Sequence, residues 1–262
     1  MTKKIVAIGG GENGRILEDG SRTLYETQLM DEEIIKLSNK KNPNFLFIDH
    51  AMCFSESIQE SYYETMRKIY NDKYGCLCKH LKASELSNIK LAKEMVDWAD
   101  IIYEGGGDTR TMIELWKKTG FDIVLKKAWN KGKVISGISA GAVCWFESCN
   151  SDNENNQFDT VECLEWIKLF ITPHSDELGR YESTKEQLRQ NKKIGIMLSN
   201  CSAIEIIDNK YRIISAPGNN RKFKNGYALK CYWKNDKYYE ELLEITDEYK
   251  MLNELLCKNI ME

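Results

Sequence analysis

The chain has 262 residues, 42% of them hydrophobic and 29% charged, with 37 basic and 40 acidic side chains and a net charge of −3. That balance belongs to a soluble globular protein and supplies no bulk attraction to nucleic acid or to an anionic membrane. No apolar run approaches the roughly 18 residues of a membrane span.

The predicted elements follow an alternating pattern. Lys4–Ile8 reads as a strand ending in Gly9-Gly10-Gly11, and Asp31–Ser38 as a short helix. Asn44–Asp49 is a second strand, Ser57–Asn71 a helix with apolar residues at helical spacing, and Tyr74–Leu81 a third strand. A helix over Ala83–Ala99 leads to a fourth strand, Asp100–Glu104, which ends in Gly105-Gly106-Gly107. Asp108 or Thr109 can cap the helix Thr111–Lys118; a further helix, Gly120–Asn130, precedes a fifth strand over Lys133–Ser136. Such βα alternation predicts an α/β fold, a mostly parallel sheet with helices on both faces.

Beyond residue 146 the pattern changes. Glu147–Asp159 is polar and reads as a loop, and Leu169–Ile171 as a short strand. Ile194–Leu198, Ser202–Ile207, Tyr211–Ser215 and Tyr227–Trp233 read as strands, accommodated antiparallel at the sheet edge, and Tyr238–Leu256 as a C-terminal helix. With three prolines and no compositional break, residues 1–262 are expected to form a single domain.

Nine cysteines are scattered through the sequence. The N-terminus lacks the apolar length and cleavage site of a secretory signal, so reduced thiols and a cytoplasmic location are expected. Cys76-x-Cys78-x-His80 lacks a second ligand pair, and alternation places the three on one face of a strand, so packing rather than metal binding is expected.

The most informative segment is Gly137-Ile138-Ser139-Ala140-Gly141, between an apolar strand and a helix start. A sharp strand-to-helix turn lifts a serine hydroxyl clear of the sheet edge, and small flanking residues avoid clashes. The amide of Ala140 and those of Gly106 and Gly107, at the end of the neighbouring strand, can then face a developing oxyanion. By contrast, Gly9-Gly10-Gly11-Glu12-Asn13-Gly14 matches a dinucleotide fingerprint only formally, because no periodic helix follows it and Asp49, the acid ending the second strand, lies too far from Gly14 for the usual ribose contact. It reads as a turn that passes near a cleft.

A serine nucleophile needs a base. Of three histidines, His174 follows the serine in a strand-end loop and is preferred over His50, which ends the second strand; His80 reads as packed or exposed. Glu147, Asp152, Glu154 and Asp159 are candidates to orient the imidazole, and spacing does not rank them; Asp176 is too close to His174 in sequence to be the first choice.

With these residues assembled, the chain resembles the dipeptidase E (α-aspartyl dipeptidase) family of serine peptidases, relatives of cyanophycinase. The resemblance rests on Gly105-Gly106-Gly107-Asp108-Thr109, Gly137-Ile138-Ser139-Ala140-Gly141-Ala142 and Thr172-Pro173-His174, and extends over about residues 1–215. It implies a class I glutamine amidotransferase-like (flavodoxin-like) fold, Ser139 as nucleophile and His174 as base. It places the acid best at Asp152, with Glu154 next, and oxyanion donors at the glycine loop and Ala140. No metal or cofactor is implied. The implied substrate is a short peptide, with an N-terminal acidic residue that calls for a basic group such as Arg110 or Arg180; either could equally form a surface ion pair. The segment from Lys210 onward exceeds a minimal dipeptidase and has three open roles: covering the cleft, extending the sheet or forming a homodimer contact. Three alternatives stand beside the peptidase: a catalytically silent binding protein on the same scaffold, a cysteine enzyme using Cys144, and a dinucleotide-dependent oxidoreductase.

Overall fold

The computed structural model describes residues 1–15, 17, 19–52, 56–153, 157–218 and 224–258. Eight strands form one sheet. Its parallel part comprises β1 (Lys4–Ile8), β2 (Asn44–Ile48), β3 (Leu77–Leu81), β4 (Ile101–Glu104) and β5 (Val134–Ile138) in the order β1-β5-β4-β2-β3. On the other side of β1 lie the antiparallel strands β10 (Ser202–Ile207), β11 (Lys210–Ser215) and β14 (Lys250–Met251). The alternation of side chains along β1 explains its central place. Ile5 and Ala7 enter one apolar cluster, Val6 and Ile8 the other, and all four are fully buried.

Helices cover both faces, as the βα pattern predicts. On one side, α1 (Gln28–Leu37) and α2 (Glu56–Arg67) contribute Met30, Ile34 and Met66 to the cluster with Val6 and Ile8. On the other, α3 (Ile89–Trp98), α4 (Thr109–Thr119) and α5 (Phe121–Asn130) contribute Ala92, Val96, Met112, Trp116 and Leu125 to the cluster with Ile5 and Ala7. Asp108 caps α4, its carboxylate accepting from Thr111 N–H at 2.7 Å.

A second, six-stranded sheet takes β6 (Phe146–Asp152), β7 (Phe158–Glu162), β8 (Ile167–Thr172), β9 (Ile194–Leu198), β12 (Ala228–Lys234) and β13 (Lys237–Leu242). It corrects two sequence expectations. The polar stretch 147–159 is not a loop over its whole length: β6 and β7 pair antiparallel, and Ser148 and Asn150 are fully buried, with the Ser148 hydroxyl and the Asn150 amide nitrogen both hydrogen-bonded. Asn150 Nδ2, for example, donates to Thr184 Oγ1 at 2.9 Å. The stretch 238–256 is not a helix either. Tyr238, Tyr239, Glu240, Glu241 and Leu242 lie in β13 and pair with β12, leaving only the four-residue α8 (Asn253–Leu256). A further helix, α7 (Arg180–Asn191), lies against this sheet; its polar sequence carries only a weak apolar stripe.

Candidate active site

Ser139 stands between β5 and the four-residue helix α6 (Ala140–Val143) at φ 55° and ψ −118°, a conformation that a residue with a Cβ adopts only under strain. Local packing holds it there. A Cβ on Gly141 would lie 2.2 Å from the Glu104 carbonyl oxygen, and one on Gly137 would lie 2.4 Å from that of Gly141. The turn therefore fits against the end of β4 only with glycine at both flanks.

The hydroxyl meets the imidazole that the sequence selected. His174, just past β8, lies with Nε2 2.9 Å from Ser139 Oγ. Its backbone is pinned by an N–H bond to the Gly9 carbonyl at 3.0 Å. His174 Nδ1 lies 2.7 Å from Asn200 Oδ1. An amide oxygen only accepts, so Nδ1 carries the proton and Nε2 is free to accept from the serine. Asn200 is itself held: its N–H donates to Asp176 Oδ1 at 2.7 Å and its Nδ2 to Asp176 Oδ2 at 3.4 Å.

The expected acid sits elsewhere. Asp152 Oδ2 accepts from Arg180 at 3.0 Å, and the same guanidinium lies 3.5 Å from Glu177 Oε2. Glu177 Oε1 is in turn 3.6 Å from His174 Nδ1. Asp152 thus reaches the imidazole only through Arg180 and Glu177, because it ends β6 and the nearly buried guanidinium intervenes. The alternative, Glu154, lies outside the described residues. Both arginines singled out as substrate contacts are engaged in ion pairs: Arg180 is buried in this network over the Phe158 ring, and the half-exposed Arg110 pairs with Asp159 at 3.0 Å. Of the other loop acids, Glu147 lies 3.7 Å from Lys193.

The glycine loop after β4 closes over the serine. A Cβ on Gly106 would lie 3.3 Å from that of Ser139, whereas Gly107 packs against the Ala51 carbonyl. Gly106 N–H donates a long bond, 3.4 Å, to Tyr62 Oη. The first glycine loop also belongs here. A Cβ on Gly10 would fall 2.1 Å from Asn200 Oδ1 and 2.3 Å from His174 Nδ1, so this loop is the wall against which the imidazole and its partner are stacked.

The remaining candidates are structural. His50 is fully buried; its Nδ1 accepts from Trp116 Nε1 at 2.8 Å, its Nε2 donates to the Leu81 carbonyl at 2.9 Å, and burial pushes its pKa down to about 3. His80 pairs with Asp49 at 2.9 Å. Cys144 is fully buried, with a thiol that burial holds well above its usual range and that donates to the Gly141 carbonyl at 3.5 Å. A nucleophilic thiolate there is therefore disfavoured.

Two cavities flank the Ser139–His174 pair. One, about 320 Å³, is lined by His174 and Asn200 and walled by Glu12, Glu26, Asp176 and Glu177. The other, about 480 Å³, is lined by Gly106, Ile138, Met52, Ile58, Tyr62 and Arg15. They share Gly11 and Glu12.

The model of peptidase family S51 matches residues 16–214 of this chain. The chain belongs to peptidase family S51. It is 30% identical over 190 residues to the uncharacterized peptidase YgaJ of Bacillus subtilis (strain 168), covering 72% of this chain and 76% of that protein. Among solved structures, a peptidase from an acI-B1 Actinobacterium superposes with a TM-score of 0.70 at 19% identity, over 96% of this S51 chain and 97% of that one. A Listeria monocytogenes EGD-e protein provisionally assigned as peptidase E gives 0.59 at 18% identity, over 81% and 98%. Membership of S51 makes this protein a peptidase, and the two structural matches share its α/β fold. Among the described residues no helix is long and apolar enough to cross a membrane.

Asn200, Tyr62 and Arg15 are site residues that sequence reasoning passed over, and the reading of the Gly10 loop goes no further than a turn near a cleft. Gly10 was within reach, since a glycine run at the end of a central strand marks close backbone approach; Asn200 carried only the signal of a turn between two strands.

Proposed function

We propose that this protein is a serine-type peptidase that hydrolyses short peptides through an acyl-enzyme. The observation that carries this reading is the 2.9 Å contact between His174 Nε2 and a Ser139 hydroxyl held at positive φ beside Gly106. Ser139 Oγ attacks the scissile carbonyl while its proton passes to His174 Nε2; the carbonyl electron pair moves onto oxygen, faced by backbone amides of Gly106, Gly107 and Ala140. His174 then protonates the departing amine, and water, deprotonated by the same imidazole, cleaves the ester. Asn200 fixes the tautomer and the ring plane as an acceptor without charge.

The two cavities support a zwitterionic substrate head. The four carboxylates beside His174 favour a peptide's ammonium group, and Arg15 is the cation on the Gly106 side, available to a carboxylate that competes with its Glu12 partner at 3.2 Å. A dipeptide with an acidic N-terminal residue offers both charges.

Ser139→Ala tests the reading against a dipeptide panel and a fluorophosphonate probe. Wild type should hydrolyse members of the panel and take the label at Ser139, and the variant should do neither while melting at the wild-type temperature. Turnover retained by Ser139→Ala, or folded wild type that neither labels nor hydrolyses, would reject it.

A further inference from the structure

Tyr62 is a side-chain donor at the glycine loop that the mechanism above leaves unused. It projects from α2 and packs its ring edge-on against Phe47, with centroids 5.0 Å apart. Its Oη accepts the Gly106 N–H at 3.4 Å, and it lines the same cavity as Gly106 and Ile138, the residue before the nucleophile. A phenol oxygen that accepts from an amide still has its own proton to give. No described side chain or carbonyl takes that proton, which leaves it available to a group in the cavity that Tyr62 lines.

We propose that Tyr62 is a catalytic residue, a side-chain oxyanion donor that works beside Gly106 N–H. This rests on the serine-peptidase reading and adds a group to it. In the resting site the phenol oxygen occupies the Gly106 amide. When Ser139 attacks and the carbonyl π pair moves onto oxygen, that oxygen displaces the weak amide–phenol contact. It then accepts from Gly106 N–H and Tyr62 O–H together; groups 3.4 Å apart can both reach one oxygen at ordinary hydrogen-bond length. The phenol proton stays on Tyr62 throughout. On collapse the pair returns to the carbonyl and the leaving amine takes its proton from His174. Burial raises the Tyr62 pKa, which keeps the phenol a donor across the working pH range. Because the contact strengthens as charge develops, its loss should appear in kcat rather than KM.

Tyr62→Phe keeps the ring against Phe47 and removes only the hydroxyl. In the full chain, kcat on the best dipeptide of the panel should fall about 10- to 100-fold, with KM within threefold and an unchanged melting temperature. Fluorophosphonate labelling at Ser139 should slow by a similar factor, since its phosphoryl oxygen enters the same hole. Wild-type kcat and labelling rate in Tyr62→Phe would overturn the proposal and leave the serine-peptidase reading standing. If wild type itself neither labels nor turns over, both fall together. A parallel rise in KM with unchanged kcat would make Tyr62 a binding contact and also overturn it.

Discussion

Asn200 Oδ1 stands 2.7 Å from His174 Nδ1, opposite the ring nitrogen that meets Ser139, where a charged carboxylate would give the imidazolium an ion-pair partner. An uncharged acceptor orients the ring but stabilises its protonated form less. Asn200→Ala should therefore lower kcat by about 10- to 100-fold through lost orientation. Asn200→Asp should raise the basicity of His174 and move the acidic limb of the kcat/KM profile to higher pH. Asp152→Asn, which touches only the Arg180 arm, should stay within a few-fold of wild type. Steady-state kinetics across pH on the three variants checks this; a collapse in Asp152→Asn alone would reassign the orienting group.

Gly10 makes a second, steric prediction. Its substitution by Ala puts a methyl group inside the van der Waals radii of both His174 Nδ1 and Asn200 Oδ1. The imidazole must tilt, and the Ser139–His174 hydrogen bond breaks before the fold does. Activity should fall by at least 100-fold, since a misplacement of about 1 Å has that scale of effect. Stability should fall by only about 1–3 kcal/mol. Chemical denaturation alongside kinetics separates the two; full activity in Gly10→Ala would show that the ring has room.

Arg15, which lines the Gly106 cavity, tests the proposed charge preference. Arg15→Gln should raise KM for dipeptides with an N-terminal aspartate or glutamate about tenfold or more relative to neutral ones, the range of a lost charge-assisted hydrogen bond. Acetylating the substrate amino group should weaken binding in both proteins, because it removes the partner of the carboxylate-walled cavity. Equal effects of Arg15→Gln on acidic and neutral dipeptides would remove Arg15 from specificity.

These residues also show what a single sequence does and does not reveal. The elbow was legible because its signature is local: consecutive small or apolar residues where a strand meets a helix start, although contact with Glu104 at the end of β4 is what holds the turn. His174 was legible because few histidines compete and it lies just past a strand end downstream of the serine, although that strand, β8, belongs to the second sheet. Asn200 was not, because its role arises from a contact across 26 residues, with a helix and a strand between, and turns are full of asparagines. The hairpin β6–β7 was hidden by composition. Ser148, Asn150 and Ser151 look solvated until Thr109, Thr184 and Lys193 arrive from distant elements to bond them. Tyr238–Leu242 carried enough apolar residues to read as helical, and only pairing with β12 makes it a strand.

Asp31 sets a pH dependence of stability. It is buried on α1 and accepts from Tyr70 Oη at 2.7 Å, Thr27 Oγ1 at 2.9 Å and Tyr25 Oη at 3.0 Å, yet burial outweighs these bonds and raises its pKa to about 6. The folded value exceeds the unfolded one of about 3.9, so the folded chain holds the proton more tightly. The associated stability is complete below about pH 4 and is lost as pH rises through 6, amounting to about 3 kcal/mol. Asp31→Asn removes this titration. Melting temperatures from pH 4 to pH 7 should therefore decline more steeply in wild type than in the variant, and parallel curves would place the proton elsewhere.

The chain passes from β9 in one sheet to β10 in the other through Ser199, Asn200 and Cys201, while Ser139 ends β5 in the first and His174 follows β8 in the second. The proposed proton relay therefore spans the two sheets, with the acceptor of the far nitrogen on the segment that joins them. Neither layer alone owns a reaction centre: a fragment ending after α6 would keep a hydroxyl with nothing to take its proton. Turnover is thus a readout of how the two layers dock, and slippage between them would silence the enzyme while each layer kept its hydrogen-bonded strands.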